Sequence, residues 1–202
     1  MKIVAIDNVL FAEDAFSTMG DVELVSDRNI SNKILKDADI LVARSTIKFN
    51  RTLLEGTGVK FAGTATIGTD HIDIDYLNQQ GISWCAAPGC NANSVAEYIV
   101  SALLYLASRH NISLKGKTIG IVGVGNVGSR VVQKALALGM NLLLNDPPRA
   151  ESEGSDGFVS LEQLLAESDI VTMHVPLIKT GKHPTLQMVN EKFFELMKHG
   201  SI

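Results

Sequence analysis

The glycine-rich turn in the middle of the chain constrains the fold more than any other feature. Gly123, Gly125 and Gly128 stand in G-x-G-x-x-G spacing, directly after the apolar run Thr118–Val122 and before a helical pattern. In this spacing the first glycine permits a tight turn, the second lets the backbone approach a ligand, and the third lets helix and strand pack closely. The following helix offers unpaired N–H groups and the positive end of its dipole to an anion. The pattern therefore predicts a βαβ unit whose turn holds the pyrophosphate of a dinucleotide.

An acidic residue follows at the distance that such a unit requires. Asp146 ends the next apolar run, about 20 residues after the turn. A carboxylate there accepts the hydroxyls of the adenosine ribose and repels the extra phosphate of NADP, although Arg149 argues the other way because arginine can accommodate that phosphate. We predict NAD as the cofactor, with the backbone N–H groups of Asn126 and Val127 facing its pyrophosphate. The alternative is that Asp146 is a solvated loop acid beside a turn that serves only packing.

Short apolar runs alternate with helical patterns through the first ninety residues. This alternation predicts a parallel sheet with helices on both faces. The expected strands are Ile3–Ile6, Val22–Val25, Ile40–Ala43, Lys60–Ala65 and Ser83–Ala86. Ligands of such sheets bind at the carboxyl ends of the strands. Arg44, Ser45 and Thr66 fall at those ends and are candidate substrate contacts.

A long helical pattern that ends near Arg109 precedes a second α/β series. The helix is apolar over more than one face, which is typical of a helix that links two domains or lies in a subunit interface. The expected strands that follow are Thr118–Val122, Asn141–Asn145 and Ile170–Val175, and the polar stretch Arg149–Gly157 is expected to be a loop.

These patterns predict an α/β protein of two doubly wound parallel-sheet units, Rossmann-like or flavodoxin-like. We expect a substrate-binding domain over residues 1–92 and a nucleotide-binding domain over residues 93–202. Ser201 and Ile202 have the character of the first residues of a further strand. We therefore expect the second unit to be incomplete and the chain to be a truncated product.

Composition and charge exclude several classes of function. The formal net charge of −4 and the absence of a Lys/Arg cluster argue against a nucleic-acid partner. No apolar run approaches the roughly 20 residues of a membrane span, and the N-terminus lacks the core of a signal peptide, so we expect a cytoplasmic protein. Cys85 and Cys90 fit no C-x-x-C pair, and the histidines show no H-E-x-x-H spacing, so we expect no metal site.

Six stretches of the sequence resemble the D-isomer-specific 2-hydroxyacid dehydrogenases. They are VARST (42–46), GTATIGTDHID (63–73), APGCNANSVAEY (87–98), GIVGVGNVG (120–128), NDPPR (145–149) and MHVPL (173–177). They run in order through essentially the whole chain. Each is weak alone, but the combination is specific.

The resemblance implies a two-domain, NAD-dependent oxidoreductase that acts on a small phosphorylated 2-hydroxy acid. TDHID, PGCNA and DPPR narrow the implied reaction to the oxidation of 4-phospho-D-erythronate, in the biosynthesis of pyridoxal 5′-phosphate, by a homodimer. The resemblance assigns Ser45 and Thr66 to the substrate. It also places a cofactor contact at Val175, where close relatives have threonine, so a side-chain hydroxyl contact would be lost. The family's catalytic arginine, glutamate and histidine fall beyond the point that matches Ile202, so we expect no catalytic residue here.

Several polar residues have a structural alternative. Arg44 could form an ion pair with Asp39 or Asp70 in place of a substrate contact. His71 tempts a catalytic interpretation, but we expect Asp70 to cap the next helix and His71 to fill a turn. His174 is expected to be a satisfied histidine of the core or its rim.

Two further functions stay open at this stage. A non-catalytic NAD-binding or NAD-sensing module could use the same fold, since fold does not fix function. A dehydrogenase for another D-2-hydroxy acid is the third possibility. Substrate assays would separate it from the phosphorylated case.

Overall fold

The computed structural model describes all 202 residues and divides into two compact units, Met1–Cys90 and Asn91–Ile202. Each unit is built on a parallel sheet, with five strands in the first and three in the second. The predicted α/β class is confirmed. The sequence predicts a domain boundary between residues 92 and 93. That the first domain binds the substrate and the second binds the cofactor stays a prediction.

The first unit alternates strands and short helices. Its elements are β1 (Lys2–Ile6), α1 (Ala12–Phe16), β2 (Asp21–Val25), α2 (Asn32–Leu35), β3 (Ile40–Ala43), α3 (Arg51–Leu54), β4 (Phe61–Thr64), α4 (Ile74–Gln79) and β5 (Ser83–Cys85). The strand order is β2-β1-β3-β4-β5, and all pairs are parallel. This is the flavodoxin-like order of a doubly wound sheet.

Alternation along β1 explains why both faces of this sheet are covered. Side chains of a strand point to opposite faces in turn. Val4 and Ile6 are buried in the larger core cluster, whereas Ile3 and Ala5 are buried in a second cluster. A strand that is apolar at every position is typical of a parallel sheet with helices on both sides.

The second unit begins with the longest helix of the chain. Its elements are α5 (Ala92–His110), β6 (Thr118–Val122), α6 (Asn126–Ala137), β7 (Asn141–Asn145), α7 (Pro147–Glu153), α8 (Leu161–Glu167), β8 (Ile170–Met173) and α9 (Glu191–Leu196). The parallel strand order is β7-β6-β8. The backbone of Ile202 also bonds beside β8, to the Asp169 oxygen at 3.0 Å and the Val171 nitrogen at 2.9 Å.

The central strand β6 carries the core of the second unit. Ile119 and Ile121 are buried in the cluster that contains residues of α5 and α6. Val122 is buried in the opposite cluster, together with Leu164 and Leu165 of α8. None of the helices combines the length and the apolar character that a membrane span needs.

Two local predictions are wrong, and capping explains both. The stretch predicted as the loop Arg149–Gly157 begins inside α7, because Asp146 caps this helix and prolines fill its first two positions. Proline is well suited to the first turn of a helix, where an N–H group would lack a partner. Asp70 does not cap α4, because the carboxylate of Asp73 accepts the bond from the Tyr76 nitrogen at 3.1 Å.

In each unit an aspartate anchors the first N–H group of the first strand, β1 or β6. Asp39 directly precedes β3 and accepts from the Lys2 nitrogen at 2.9 Å. Asp169 directly precedes β8 and accepts from the Thr118 nitrogen at 2.9 Å. Both side chains also lie within ion-pair distance of lysines. The first strand of each unit thus begins with the same type of hydrogen bond.

Candidate functional site

The strand order of the second unit creates a crevice at the carboxyl end of β6. The chain passes from β6 to β7 on one side and then returns to place β8 on the other side. Ligands of doubly wound sheets bind at such a switch point. A cavity of about 570 Å³ opens there, within the range of small-molecule sites. Its lining includes Gly123, Gly125, Asp146, His174 and Val175.

The three glycines of the turn differ in the space that surrounds them. Gly123 has φ +86°, and a Cβ added there would lie 2.8 Å from the His174 carbonyl oxygen. A Cβ at Gly128 would overlap the Gly123 carbonyl oxygen. Nothing lies within 4 Å of a Cβ built at Gly125. Two glycines are therefore needed for packing, and the middle one borders open space that a ligand can enter.

Helix α6 begins at this open space. Gly125 occupies its N-cap, no side chain caps it, and its first turn contains no acidic residue. Its first N–H groups therefore lack side-chain partners within the cap, and no carboxylate of the helix's own first turn offsets the positive end of its dipole. Asn126 is exposed and Val127 packs against the core cluster. The predicted pyrophosphate contacts come together at one helix end.

Asp146 directly follows β7, at the edge of the same cavity. One carboxylate oxygen accepts from the Val124 nitrogen at 2.8 Å, and the other accepts from the Arg149 nitrogen at 3.2 Å. An ionised carboxylate has about four acceptor positions. About two therefore remain for hydroxyl donors such as those of a ribose.

Arg149 does not face the cavity as a free cation. Its Nε and Nη2 donate to the two carboxylate oxygens of Glu153 at 2.8 and 2.6 Å. Its Nη1 donates to the Val124 carbonyl oxygen at 2.7 Å, and the guanidinium carbon lies 5.6 Å from the centre of the Phe158 ring. Glu153 raises the pKa of Arg149 by hydrogen bonding to it. The Arg149 guanidinium is therefore bonded to groups of the protein and is not free to bind the extra phosphate of NADP.

The segment after β8 completes the lining of the cavity. Val175 lies against the turn, since its Cγ1 would be 2.8 Å from a Cβ on Gly123. His174 pairs through Nε2 with the Thr172 hydroxyl at 3.1 Å, and burial lowers its pKa. Lys182, His183 and Thr185 also line the cavity, and sequence reasoning missed them. The polar run KHPT, set between a strand and a helix, was the available signal.

Ser45 and Thr66 come together in the first unit. Both line a cavity of about 430 Å³ at the carboxyl ends of β3 and β4, which Lys48, Asp70 and His71 also line. Arg44 is exposed and is not among the lining residues. Arg44 forms no ion pair with Asp39 or Asp70; Asp39 instead accepts from the Lys2 nitrogen and pairs with Lys60.

His71 is linked to the candidate substrate contacts by two hydrogen bonds. Its Nε2 lies 3.0 Å from the Thr64 hydroxyl, which lies 2.8 Å from the Thr66 hydroxyl. Burial lowers the pKa of His71, although the nearby charge of Asp70 opposes this shift. The neutral imidazole is thus favoured, and it orients the hydroxyl pair rather than simply filling a turn.

The cavities contain no obvious metal centre. No group of three or more histidine, cysteine or carboxylate side chains is placed to hold an ion. The expectation that the chain uses no metal stays a prediction.

The comparison with protein families falls on the second unit. Residues 104–202 match the model described as D-isomer specific 2-hydroxyacid dehydrogenase, NAD binding domain. The second unit is therefore similar to the NAD-binding domain of that family over residues 104–202, just under half of the chain. The prediction of NAD as the cofactor is supported by this match.

Relatives align with the whole chain. Erythronate-4-phosphate dehydrogenases of Cronobacter sakazakii and Yersinia pestis are each 48% identical over all 202 residues, which cover 53% and 54% of those proteins. The chain therefore spans about half the length of the curated relatives it matches.

Solved structures agree with the fold. An NAD⁺-bound 3-phosphoglycerate dehydrogenase of Entamoeba histolytica is 29% identical, with a TM-score of 0.80, and the match covers 100% of this chain and 70% of that one. A D-lactate dehydrogenase of Aquifex aeolicus, complexed with NAD and lactic acid, is 28% identical with a TM-score of 0.75. That match covers 98% of this chain and 67% of that one.

Proposed function

We propose that these 202 residues form the cofactor-binding turn and part of the substrate pocket of an NAD-dependent dehydrogenase. The proposed reaction oxidises 4-phospho-D-erythronate to (R)-3-hydroxy-2-oxo-4-phosphobutanoate, in the biosynthesis of pyridoxal 5′-phosphate in the cytoplasm. One observation carries the proposal. A single cavity combines the open space at Gly125, the uncapped N-terminus of α6 and the carboxylate of Asp146, which can accept ribose hydroxyls. The relatives named erythronate-4-phosphate dehydrogenase support the choice of substrate.

NAD, when bound, accepts the hydride that leaves the carbon bearing the 2-hydroxyl group. The chain's own residues would position it. The N–H groups at the start of α6 would hold the pyrophosphate, and the free acceptor positions of Asp146 would take the ribose hydroxyls. Val175 would contact the cofactor through its backbone and its apolar side chain.

The first unit would bind the acid. Hydroxyl donors at Ser45 and Thr66 suit carboxylate or phosphate oxygens, and the exposed ammonium of Lys48 lines the same cavity. His71 would fix the direction of the Thr66 hydroxyl through Thr64. The resemblance assigns the proton acceptor and the carboxylate-binding arginine to positions that follow the match to Ile202. We therefore expect the 202 residues by themselves to bind NAD without reducing it.

Calorimetric titration of the chain with NAD and with NADP tests the cofactor site. We expect NAD to bind more tightly, and Asp146→Asn to weaken NAD more than NADP. Asparagine keeps the shape of the side chain and one oxygen acceptor, enough for either the Val124 or the Arg149 nitrogen, so it isolates the loss of charge better than alanine does. Equal loss of both cofactors would contradict the ribose role. An assay of NADH formation with 4-phosphoerythronate completes the test, since turnover by these residues alone would contradict the expected lack of catalytic groups.

A homodimer is part of the same proposal. Tyr98 and Tyr105 on α5 are 72% and 62% exposed, and Leu104 is also exposed between them. Aromatic residues at this exposure are typical of an interface that a partner covers. Light scattering after size-exclusion chromatography should show a dimer that Tyr98→Lys with Tyr105→Lys converts to a monomer. An unaltered chain that stays monomeric at high concentration would contradict this part of the proposal.

A further inference from the structure

The peptide groups of Val124 are held from both sides by residues of the segment that follows β7. Val124 stands between the first two glycines of the turn. Its nitrogen donates to Asp146 at 2.8 Å, and its carbonyl oxygen accepts from Arg149 at 2.7 Å. Glycine on each side leaves the backbone free to rotate. The two bonds therefore act on the place where the turn has the least intrinsic stiffness.

Arg149 is itself immobilised by three contacts. Its guanidinium forms a two-point pair with Glu153, one turn later on α7, and stacks over the Phe158 ring. Each guanidinium nitrogen thus has an acceptor. A swing toward an anion in the cavity would give up the Val124 bond and would leave the Glu153 carboxylate without its partner.

We propose that Arg149, held by Glu153, is a positioning residue that fixes the glycine turn in its anion-receiving shape. It acts through the Val124 carbonyl and does not touch the cofactor. The proposal rests on the proposed function, because it assumes that the turn receives the pyrophosphate of NAD. It differs from a direct role, in which the positive charge of Arg149 would attract the cofactor's phosphates.

Two substitutions at the same position separate these roles. Arg149→Lys keeps the positive charge but lacks the planar fork that bonds Glu153 and Val124 together. Arg149→Met removes the charge and keeps a long side chain over Phe158. If Arg149 positions the turn, both variants should weaken NAD binding about tenfold, as expected from the loss of one charge-assisted hydrogen bond. Glu153→Gln should weaken it less, because one acceptor for Arg149 remains.

Amide hydrogen exchange measured by NMR without NAD gives a second readout. The Val124 amide should exchange about tenfold faster in both Arg149 variants, because the turn opens more often. Amides of β6 such as Ile121 should keep their protection, which shows that the second unit stays folded. This readout does not require that the chain bind any nucleotide.

The first unit offers a matched control. Arg51 forms the same i,i+4 pair with Glu55 at 2.9 Å on α3 and lies 5.3 Å from the Tyr76 ring centre, but its guanidinium holds no glycine turn. Arg51→Met should leave both NAD affinity and Val124 exchange unchanged.

The outcomes are distinguishable. Normal NAD binding by Arg149→Lys with loss in Arg149→Met would overturn positioning in favour of direct attraction. Unchanged Val124 exchange in both variants would also overturn it. If the unaltered chain fails to bind NAD, the proposed function fails, and the exchange data alone then decide whether Arg149 holds the turn.

Discussion

The first strand–helix turns of the two units share a topological position but differ in chemistry. In each sheet the first strand has its next two neighbours on opposite sides. The turn after β1 contains no glycine, and it exposes 80% of Leu10 and 76% of Phe11. The turn after β6 contains Gly123 and Gly125 and borders a cavity.

The helices that follow these turns differ as well. Helix α1 has five residues, and Glu13 and Asp14 lie in its first turn. Helix α6 has twelve residues and no acid in its first turn. Carboxylates at a helix start stabilise it but repel a bound anion. Strand order alone therefore creates a crevice, whereas the glycines and the uncovered helix end decide whether it suits a pyrophosphate.

The largest expected effect is a loss of stability caused by a steric clash at the glycine turn of the second unit. Gly128→Ala should destabilise the second unit by about 3 kcal/mol, because its Cβ would overlap the Gly123 carbonyl oxygen and force the helix from the strand. Chemical denaturation monitored by circular dichroism measures the loss. Gly56→Ala in the first unit, where φ is +70° and no atom lies within 4 Å, is the control, and its loss should be smaller. Equal losses would contradict the packing argument.

A second substitution should break ligand binding while sparing the fold. Gly125→Val adds atoms to the open space that the pyrophosphate would enter, and no other atom of the chain lies within 4 Å of its Cβ. We expect NAD affinity to fall by about tenfold or more, equivalent to at least roughly 1.4 kcal/mol, with little change in unfolding midpoint. A midpoint that falls as far as in Gly128→Ala would show that Gly125 is also a packing residue.

The comparison extends to the amino ends of β1 and β6, where Asp39 and Asp169 accept the first N–H groups. Asp169→Ala should lower stability by about 1 kcal/mol, since it removes the acceptor of the Thr118 nitrogen and the partner of Lys198. Asp39→Ala should lower it less, because its carboxylate is more exposed, at 35% against 21%. Asp169→Asn, which keeps an acceptor, should recover part of the loss. Thermal unfolding of the three variants checks the order.

The smallest expected effect is a pH dependence carried by one histidine in each unit. Burial lowers the pKa of both His71 and His174 below the ordinary 6.5. The unfolded chain therefore binds their protons first as the pH falls. Their contribution to stability is complete above about pH 6.5 and is lost as the pH falls toward the lowered pKa values. The urea midpoint between pH 7.5 and 5.5 should change less in His71→Gln and in His174→Gln than in the unaltered chain. Identical profiles would show that neither histidine stays neutral on folding.

Local patterns in the sequence predict the strands and the glycine turn well. Every expected strand is present within one or two residues at each end, because apolar runs bounded by glycine, proline or polar residues reflect burial on both faces. The helix α7 was missed because its stability comes from Asp146 as a cap, from two prolines and from one ion pair, while its surface is polar. A polar composition therefore does not distinguish a short capped helix from a loop.

The candidate site was predictable as a set of residues but not as a set of contacts. Asp146 was expected to face a ribose, but its bond to Val124 crosses 22 positions and depends on the pairing of β6 with β7. The hydrogen-bonded chain from His71 through Thr64 to Thr66 likewise requires that a turn fold back onto a strand end. Such contacts follow from tertiary structure, and no local periodicity encodes them.

The close approach of Gly128 to the Gly123 carbonyl has a genetic consequence. A single base change in any glycine codon yields glycine, a stop or a residue that carries a Cβ atom, and each such residue would meet the same oxygen. Position 128 therefore has no missense neighbour that leaves the backbone undisturbed. In a saturation library, surviving clones should be almost monomorphic at this codon, whereas codon 56 should show drift.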